Sequence, residues 1–478
     1  MLQRSAFNSV HVCLRLRGWL CPVLFVSAAA ASPVLAQSVS NASETSDAPA
    51  TLGPNSRLPQ IVGAQYTFIL QDQSSLASPY AEHLSLDPRG DTQPTNTVGL
   101  YLGWAPLNWL QAYVDVERFV GAGVSNATGL AGLTNGDVVR EGAAGLKKEF
   151  YFARDFLRFM LPLGDAVTAV ERAKDQIAGG EASTRLEMKV GRMAVNDDFD
   201  NNRYAGDPRG EFLNWSLWAN TAWDYAANTR GYTDGIVVGF VSSAWSLKYG
   251  IYKMPVYANG QQLVSSLTRA NGQNLQLTLS DLPTGTIVRL LGFFNTASMG
   301  LYRQALETAA ADHTIPNIVA DDKPGRQKHG YGLNLEQPIA DGGETGGFLR
   351  WGWNDGNEES FAFTEVDELV SFGGQLSGVH WRRPDDHFAL AVASESLDAP
   401  HEQYLAEGGN GFLLGDGRLN YGHEQILEAY YRIEYTWPQR PGPIHWQLSP
   451  DFQYIQNPGY NRDRGPVHVW GVRFHLEY

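Results

Sequence analysis

Residues 467–478 read VHVWGVRFHLEY. Taken in steps of two, Trp470, Val472, Phe474, Leu476 and Tyr478 form one set, and Gly471, Arg473, His475 and Glu477 the other. Side chains on a strand alternate between faces, so this stretch has one apolar, aromatic-rich face and one polar face. A soluble sheet turns such an apolar face inward. A membrane barrel turns it outward, toward lipid. The rest of the chain decides between the two.

The same rhythm recurs from end to end. Val62, Ala64, Tyr66, Phe68 and Leu70 share a face, as do Val98, Leu100, Leu102 and Trp104. Leu110, Ala112, Val114 and Val116 oppose Gln111, Tyr113, Asp115 and Glu117. Leu186, Met188 and Val190 oppose Arg185, Glu187 and Lys189, and similar alternation marks 245–252 and 428–437. Further strands are predicted at 147–154, 234–242, 272–280, 286–294, 328–337, 345–354, 372–382, 387–396 and 444–456. The segment 298–307 reads as a strand or a loop helix, and 164–180 as a loop helix with Ala166, Ala169, Val170, Ala173 and Ile177 along one stripe.

A sheet of this size must close or stack to protect its edges. Two features favour a membrane barrel over a sandwich. Aromatic residues recur at strand ends: Trp104, Trp109, Trp245, Trp351, Trp353, Trp381, Trp437, Trp446, Trp470 and Tyr478. Such rings favour the bilayer–water interface. Short turns at 106–108 and 242–244 also contrast with long polar loops at 121–146, 195–233, 308–327 and 397–423. The expected fold is all-β: an antiparallel transmembrane β-barrel of about 16 strands over 61–478, with long outer loops and a short loop helix.

The other end of the chain agrees. Arg4, Arg15 and Arg17 precede the short apolar stretch WLCPVLFVSAAAASPVLA, which ends in small residues. Residues 1–36 read as a secretory signal peptide cut before Gln37, and 37–60 as a flexible lead-in. Both cysteines, Cys13 and Cys21, lie in the leader, so the exported chain has no disulfide, thiolate metal site or cysteine nucleophile. The whole chain carries a net charge of −15, and loss of a basic leader makes the remainder more acidic. Such a chain repels phosphates, which excludes nucleic acid as a partner. After the leader no apolar run is long enough for a spanning helix.

Three segments carry a resemblance. They are RMAVNDDFDNNRYAGDPRGEFLNWSLWANTAWDYAANTRGYTDG (192–235), YLAEGGNGFLLGDGRLNYG (404–422) and LSPDFQYIQNPGYNRDRGPV (448–467). Their order and density resemble the OprB-type carbohydrate-selective porins; 37–180 matches only in strand rhythm. The resemblance implies a 16-stranded outer-membrane barrel and passive uptake of small neutral sugars, with outer-membrane lipid around it. It also implies that Phe474 and Tyr478, ending the last strand, form a signal read by the barrel-assembly machinery.

A sugar offers hydroxyls and weakly apolar C–H faces. A selective pore therefore needs planar polar groups beside aromatic rings, binding the solute too weakly to hold it. The 192–235 segment supplies Asp197, Asp200, Asn202, Arg203, Asp207, Arg209 and Glu211, interleaved with aromatics that include Trp215. Arg185 and Lys189, on the polar face of their strand, are further candidates for contact with sugar. Arg118, Arg140, Lys147, Lys148, Arg154 and Arg158 stay unassigned. The competing role for all of these is to tie the loop to the wall by internal ion pairs.

Other chemistry is less well supported. The stretch from Asp198 starts like a calcium loop but has Arg203 where glycine is required and Arg209 where glutamate is required. No zinc spacing and no GxSxG elbow is present, so a membrane-embedded hydrolase is disfavoured. No cofactor is expected. A general porin or polysaccharide exporter is the alternative function, and a homo-oligomer is compatible with the sequence.

Overall fold

The computed structural model describes residues 56–139, 145–438 and 443–478. The leader 1–36, most of the lead-in and Arg140 lie outside the described residues. The strands are β1 (Ile61–Gln73), β2 (Asp91–Leu107), β3 (Leu110–Gly121), β4 (Tyr151–Pro162), β5 (Val167–Val170) and β6 (Gly179–Ala182). Then come β7 (Arg185–Met193), β8 (Thr233–Val241), β9 (Trp245–Lys253), β10 (Asn271–Leu279), β11 (Ile287–Met299) and β12 (Lys323–Ala340). The last are β13 (Thr345–Asn354), β14 (Glu368–Ser377), β15 (His387–Ser396), β16 (Glu424–Trp437), β17 (Ile444–Gln456) and β18 (Val467–Glu477).

All of these except β5 and β6 form one closed antiparallel barrel of sixteen strands. Closure is made by β1 on β18, in register from Gln65 opposite Glu477 to Gln73 opposite Val469. In hydrocarbon an unpaired backbone group costs several kcal/mol, so a closed barrel is one of only two spanning solutions. The final carbonyl joins the seam, where Tyr101 Oη donates to the Tyr478 backbone oxygen at 2.9 Å.

The faces are inverted relative to a soluble sheet. On β1, Val62 is 59% exposed, whereas Gln65 is 5% exposed and Thr67, Gln71 and Gln73 are buried. On β2 and β18, Leu100, Leu102, Trp104, Trp470 and Val472 face out. Their inward neighbours include Thr95, Thr97, Arg473 and His475, all buried. Tryptophans cluster at both rims. Trp104, Trp109, Trp245, Trp381, Trp437 and Trp446 stand at the short-turn end, and Trp353 and Trp470 toward the long-loop end.

Connections alternate as the sequence indicates, and three more long loops, 74–90, 254–270 and 355–367, join those expected. Outer-membrane barrels place short turns in the periplasm and long loops outside. The loops carry helices α1 (Trp215–Trp218), α2 (Tyr302–Asp312) and α3 (Ala399–Ala406). The segment 298–307 is therefore divided between the end of β11 and the start of α2.

The expected helix at 164–180 is not formed. That stretch is a hairpin, β5 on β6, pairing Val167 with Ala182 and Val170 with Gly179. Its apolar stripe is mostly alanine, and Ala166, Ala169 and Ala173 are exposed. Val167, Thr168 and Val170 favour extended backbone, and paired glycines at 179–180 disfavour a helix. The hairpin stands at the short-turn mouth, beyond the paired ends of β4 and β7, Pro162 and Arg185.

If the outward face meets lipid, a charge placed at mid-strand is costly. Leu100→Arg is expected to lower unfolding free energy in bilayers by about 2–4 kcal/mol. Denaturant titration of the refolded barrel in lipid vesicles reads this.

Candidate functional site

The lumen is occupied by loop 194–232, the segment that carries most of the sequence-predicted residues. It starts at the long-loop end of β7 and runs inside the barrel. At Arg203, whose Nη2 donates to Glu344 Oε1 at 2.6 Å, it reaches a short turn on the opposite rim. Inward polar residues of the wall hold it along the way.

Arg350 on β13 is fully buried and does most at one point. Its guanidinium contacts Asp200 Oδ2 at 3.0 Å and donates to the backbone oxygens of Leu217 at 2.7 Å and Ala205 at 2.6 Å. Asn334 Nδ2 donates to Asp200 Oδ1 at 2.7 Å, and Asn202 Nδ2 to Asn334 Oδ1 at 2.8 Å. Three strands further round the wall, Glu428 on β16 accepts the backbone N–H groups of Leu213 at 2.6 Å and Asn214 at 2.8 Å. Arg473 Nη1 donates to Pro208 O at 2.8 Å and Glu211 O at 2.5 Å. Backbone groups of a buried loop need partners, and the polar face of the barrel supplies them.

Beside this loop lies a cavity of about 360 Å³. Four of the predicted residues line it: Asp197, Asp207, Arg209 and Trp215. Arg209 Nη1 donates to Glu117 Oε1 at 2.9 Å and its Nε to Asp137 Oδ1 at 2.8 Å. Burial opposes the guanidinium charge, but Asp137 and Glu117 outweigh it and hold the Arg209 pKa well above the usual value. Arg154 of β4 grips Asp197 through two bonds, Nη2 to Oδ1 at 2.6 Å and Nε to Oδ2 at 2.7 Å. Burial would raise the Asp197 carboxyl; Arg154 beside it prevails and keeps it below the ordinary carboxylate range.

The apolar side of the cavity is aromatic. The Trp215 ring stacks on Phe363 with centroids 4.9 Å apart and planes 11° from parallel. Tyr225 packs on the same Phe363 at 4.4 Å, and Trp218 meets it edge-on at 6.0 Å. Trp215 Nε1 is held by Asn135 O at 2.8 Å. Arg230 lies 4.0 Å from the ring centre of Tyr151, another lining residue.

The remaining predicted residues stand elsewhere. Asp200 and Asn202 are buried anchors of the loop, as described. Arg203 is at the short-turn rim. Glu211 folds back on its own loop, accepting N–H groups of Gly206 at 2.5 Å and Asp207 at 3.0 Å. Desolvation there pushes its carboxyl up to about 7. Arg185 pairs with Glu181 and Glu187, each at 3.2 Å. Lys189 pairs with Asp198 at 2.7 Å. Neither of the last two lines the cavity.

Sequence reasoning left Arg154 unassigned and passed over Glu117, Asp137, Lys174, Tyr151 and Phe363 as candidates, all of which line the cavity. Part of the signal was present. Arg154, Phe156 and Arg158 share a period-two face opposite Asp155 and Leu157. A bulge where β4 meets Asp115 and Val116 obscures the phase just before them.

A closed sixteen-stranded barrel with an apolar outer face and a polar, loop-lined lumen defines a porin-type channel of the bacterial outer membrane. Residues 90–478 match the model of the carbohydrate-selective porin, OprB family, and the chain belongs to that family. It is similar to the high-pH structure of Pseudomonas putida OprB, with TM-score 0.63 and 15% identity over 87% of this chain and 94% of that one. The low-pH structure of the same protein gives TM-score 0.41 and 11% identity over 87% and 92%. The outer membrane channel DcaP of Acinetobacter baumannii gives 0.43 and 11% over 87% and 98%. No curated protein matches the chain by sequence. The family and the fold are those of channels.

Removing Arg350 strands Asp200 as a buried charge. Arg350→Met is expected to cost about 3–5 kcal/mol. It should also open 194–232 to added protease, while far-ultraviolet circular dichroism keeps its β signal.

Proposed function

We propose that the chain conducts mono- and small oligosaccharides passively across the outer membrane, through a constriction built around Asp197, Asp207, Arg209 and Trp215. The observation that carries this reading is the make-up of the 360 Å³ cavity. One side offers aromatic surface, from Trp215, Trp218 and Phe363. The other offers planar hydrogen-bonding groups whose charges are already paired, Arg154 with Asp197 and Arg209 with Glu117. A sugar can lay a C–H face on the rings and trade hydroxyl hydrogen bonds with guanidinium and carboxylate edges. A charged solute gains less at Arg154 and Arg209, because each of these guanidinium groups already has carboxylates beside it. The driving force is the solute gradient, so the reading needs no cofactor and no catalytic group.

Phe474 and Tyr478 belong to the same proposal as the signal for barrel assembly. Phe474 lies on the outward face of β18, and Tyr478, just past its end, pairs with Ala64 of β1, so an assembling partner would meet both before the seam with β1 is closed.

Liposome swelling with a panel of sugars and amino acids of matched size tests the function. Sugars should enter several-fold faster. Trp215→Ala and Arg209→Ala should each slow sugar uptake relative to amino acids. Equal rates for both solute classes would replace this reading with that of a general porin.

A further inference from the structure

Loop 194–232 narrows this lumen from the long-loop side, yet one cation in the cavity comes from the opposite mouth. Between β5 and β6 the chain leaves the hairpin, and residues 171–177 enter the lumen. A tight turn at the tip is closed by reciprocal backbone bonds between Ala173 and Gln176, each 3.1 Å, with Asp175 at φ 56°. Contacts of the segment and of the adjoining β6 hold it in place. Arg158 and Arg185 clamp Glu181 at 2.5 and 3.2 Å. Ile177 N donates to Tyr113 Oη at 3.3 Å. Arg172 Nη2 reaches the Val62 carbonyl at 3.3 Å, with its guanidinium 5.9 Å from the Tyr478 ring centre.

The tip carries Lys174 and Asp175 to the level of the wall carboxylates. Lys174 Nζ lies 3.2 Å from Asp115 Oδ2 and 3.7 Å from Glu117 Oε1. Asp175 lies 3.6 Å from Arg154. Asp115 is almost wholly buried, and its other cation, Arg154, is 3.4 Å away and bonded more closely to Asp197. Asp115 Oδ1 has no hydrogen-bond partner among the described residues. Arg209 is likewise shared between Glu117 and Asp137. Asp175 on the same tip faces Arg154 and takes up more of that cation's charge, so the balance around Asp115 depends on Lys174, which is partly exposed and lines the cavity.

We propose that Lys174 is a selectivity-determining residue of the pore, supplied from the short-turn mouth as a counter-charge to Asp115 and, more distantly, Glu117. Without it, two carboxylates of the inner wall share the remaining arginines with other acids, and the lumen attracts cations. In a narrow, low-dielectric passage one uncompensated charge biases ion flow strongly. The inference requires only that the chain conducts. It does not depend on which neutral solute passes, so a failure of sugar preference and a failure of this proposal are read in different experiments.

The test is the reversal potential of single channels of the full chain in planar bilayers under a potassium chloride gradient. Four proteins are compared: wild type, Lys174→Gln, Lys174→Arg and Lys147→Gln. Lys147 is an exposed outer-loop lysine and controls for net charge. Heat-modifiable gel migration shows that each variant is a closed barrel. Lys174→Gln should raise the cation-to-anion permeability ratio several-fold, Lys174→Arg should keep the wild-type ratio, and Lys147→Gln should leave it unchanged. A Lys174→Gln channel with the wild-type reversal potential, or one shifted no further than Lys147→Gln, overturns the proposal.

Discussion

The structure depends on one constraint: the outer face of the wall meets hydrocarbon. Lipid offers no partner to an N–H or C=O group, so every strand must pair on both sides and the sheet must close. It also reverses the usual placement of side chains. Leu100, Val62 and Trp470 stand outside, and Gln65, Arg350 and Glu428 stand inside. A soluble protein would have to desolvate those inner groups for little return. Here they are the means by which the barrel holds its loops.

That inner polar face explains how so long a loop adopts one path. The 194–232 segment has two short helical turns, Val195–Asp197 and Trp215–Trp218, and no sheet of its own, so most of its backbone groups look outward for partners. Arg350, Asn334, Glu428 and Arg473 supply them from four strands around the wall. Each is a buried polar or charged group that would be costly alone and is stable because the loop completes it. The loop and the wall are thus one network. The cavity beside them inherits its geometry from that network.

The strands were legible in the sequence because period-two alternation is a local signal, readable without knowing what lies opposite. All sixteen barrel strands overlap a predicted one, but β4 (Tyr151–Pro162) shares only 151–154 with the predicted 147–154, and β14 (Glu368–Ser377) only 372–377 with the predicted 372–382. The hairpin at 164–182 was misread because an alanine stripe looks amphipathic even when nothing covers it. The division of loop charges was less legible. Asp197 and Asp200 are three residues apart and look alike in sequence. Arg154 carries one to the cavity, while Arg350, 150 residues away, buries the other. Partners that distant leave no local trace. Lys174 was hidden for a similar reason, since its role depends on a segment entering from the far mouth.

The central claim is that each strand shows one face to lipid and the other to a water-filled interior. The sequence favours a direct test, since its only cysteines are Cys13 and Cys21. Single cysteines at Val98, Gly99, Leu100, Tyr101 and Leu102 of β2, spin-labelled and reconstituted in vesicles, report their surroundings by paramagnetic relaxation. Labels at Val98, Leu100 and Leu102 should respond to dissolved oxygen, and those at Gly99 and Tyr101 to a water-soluble nickel chelate. Oxygen sensitivity at Gly99 and Tyr101 with chelate sensitivity at Leu100 would contradict the account.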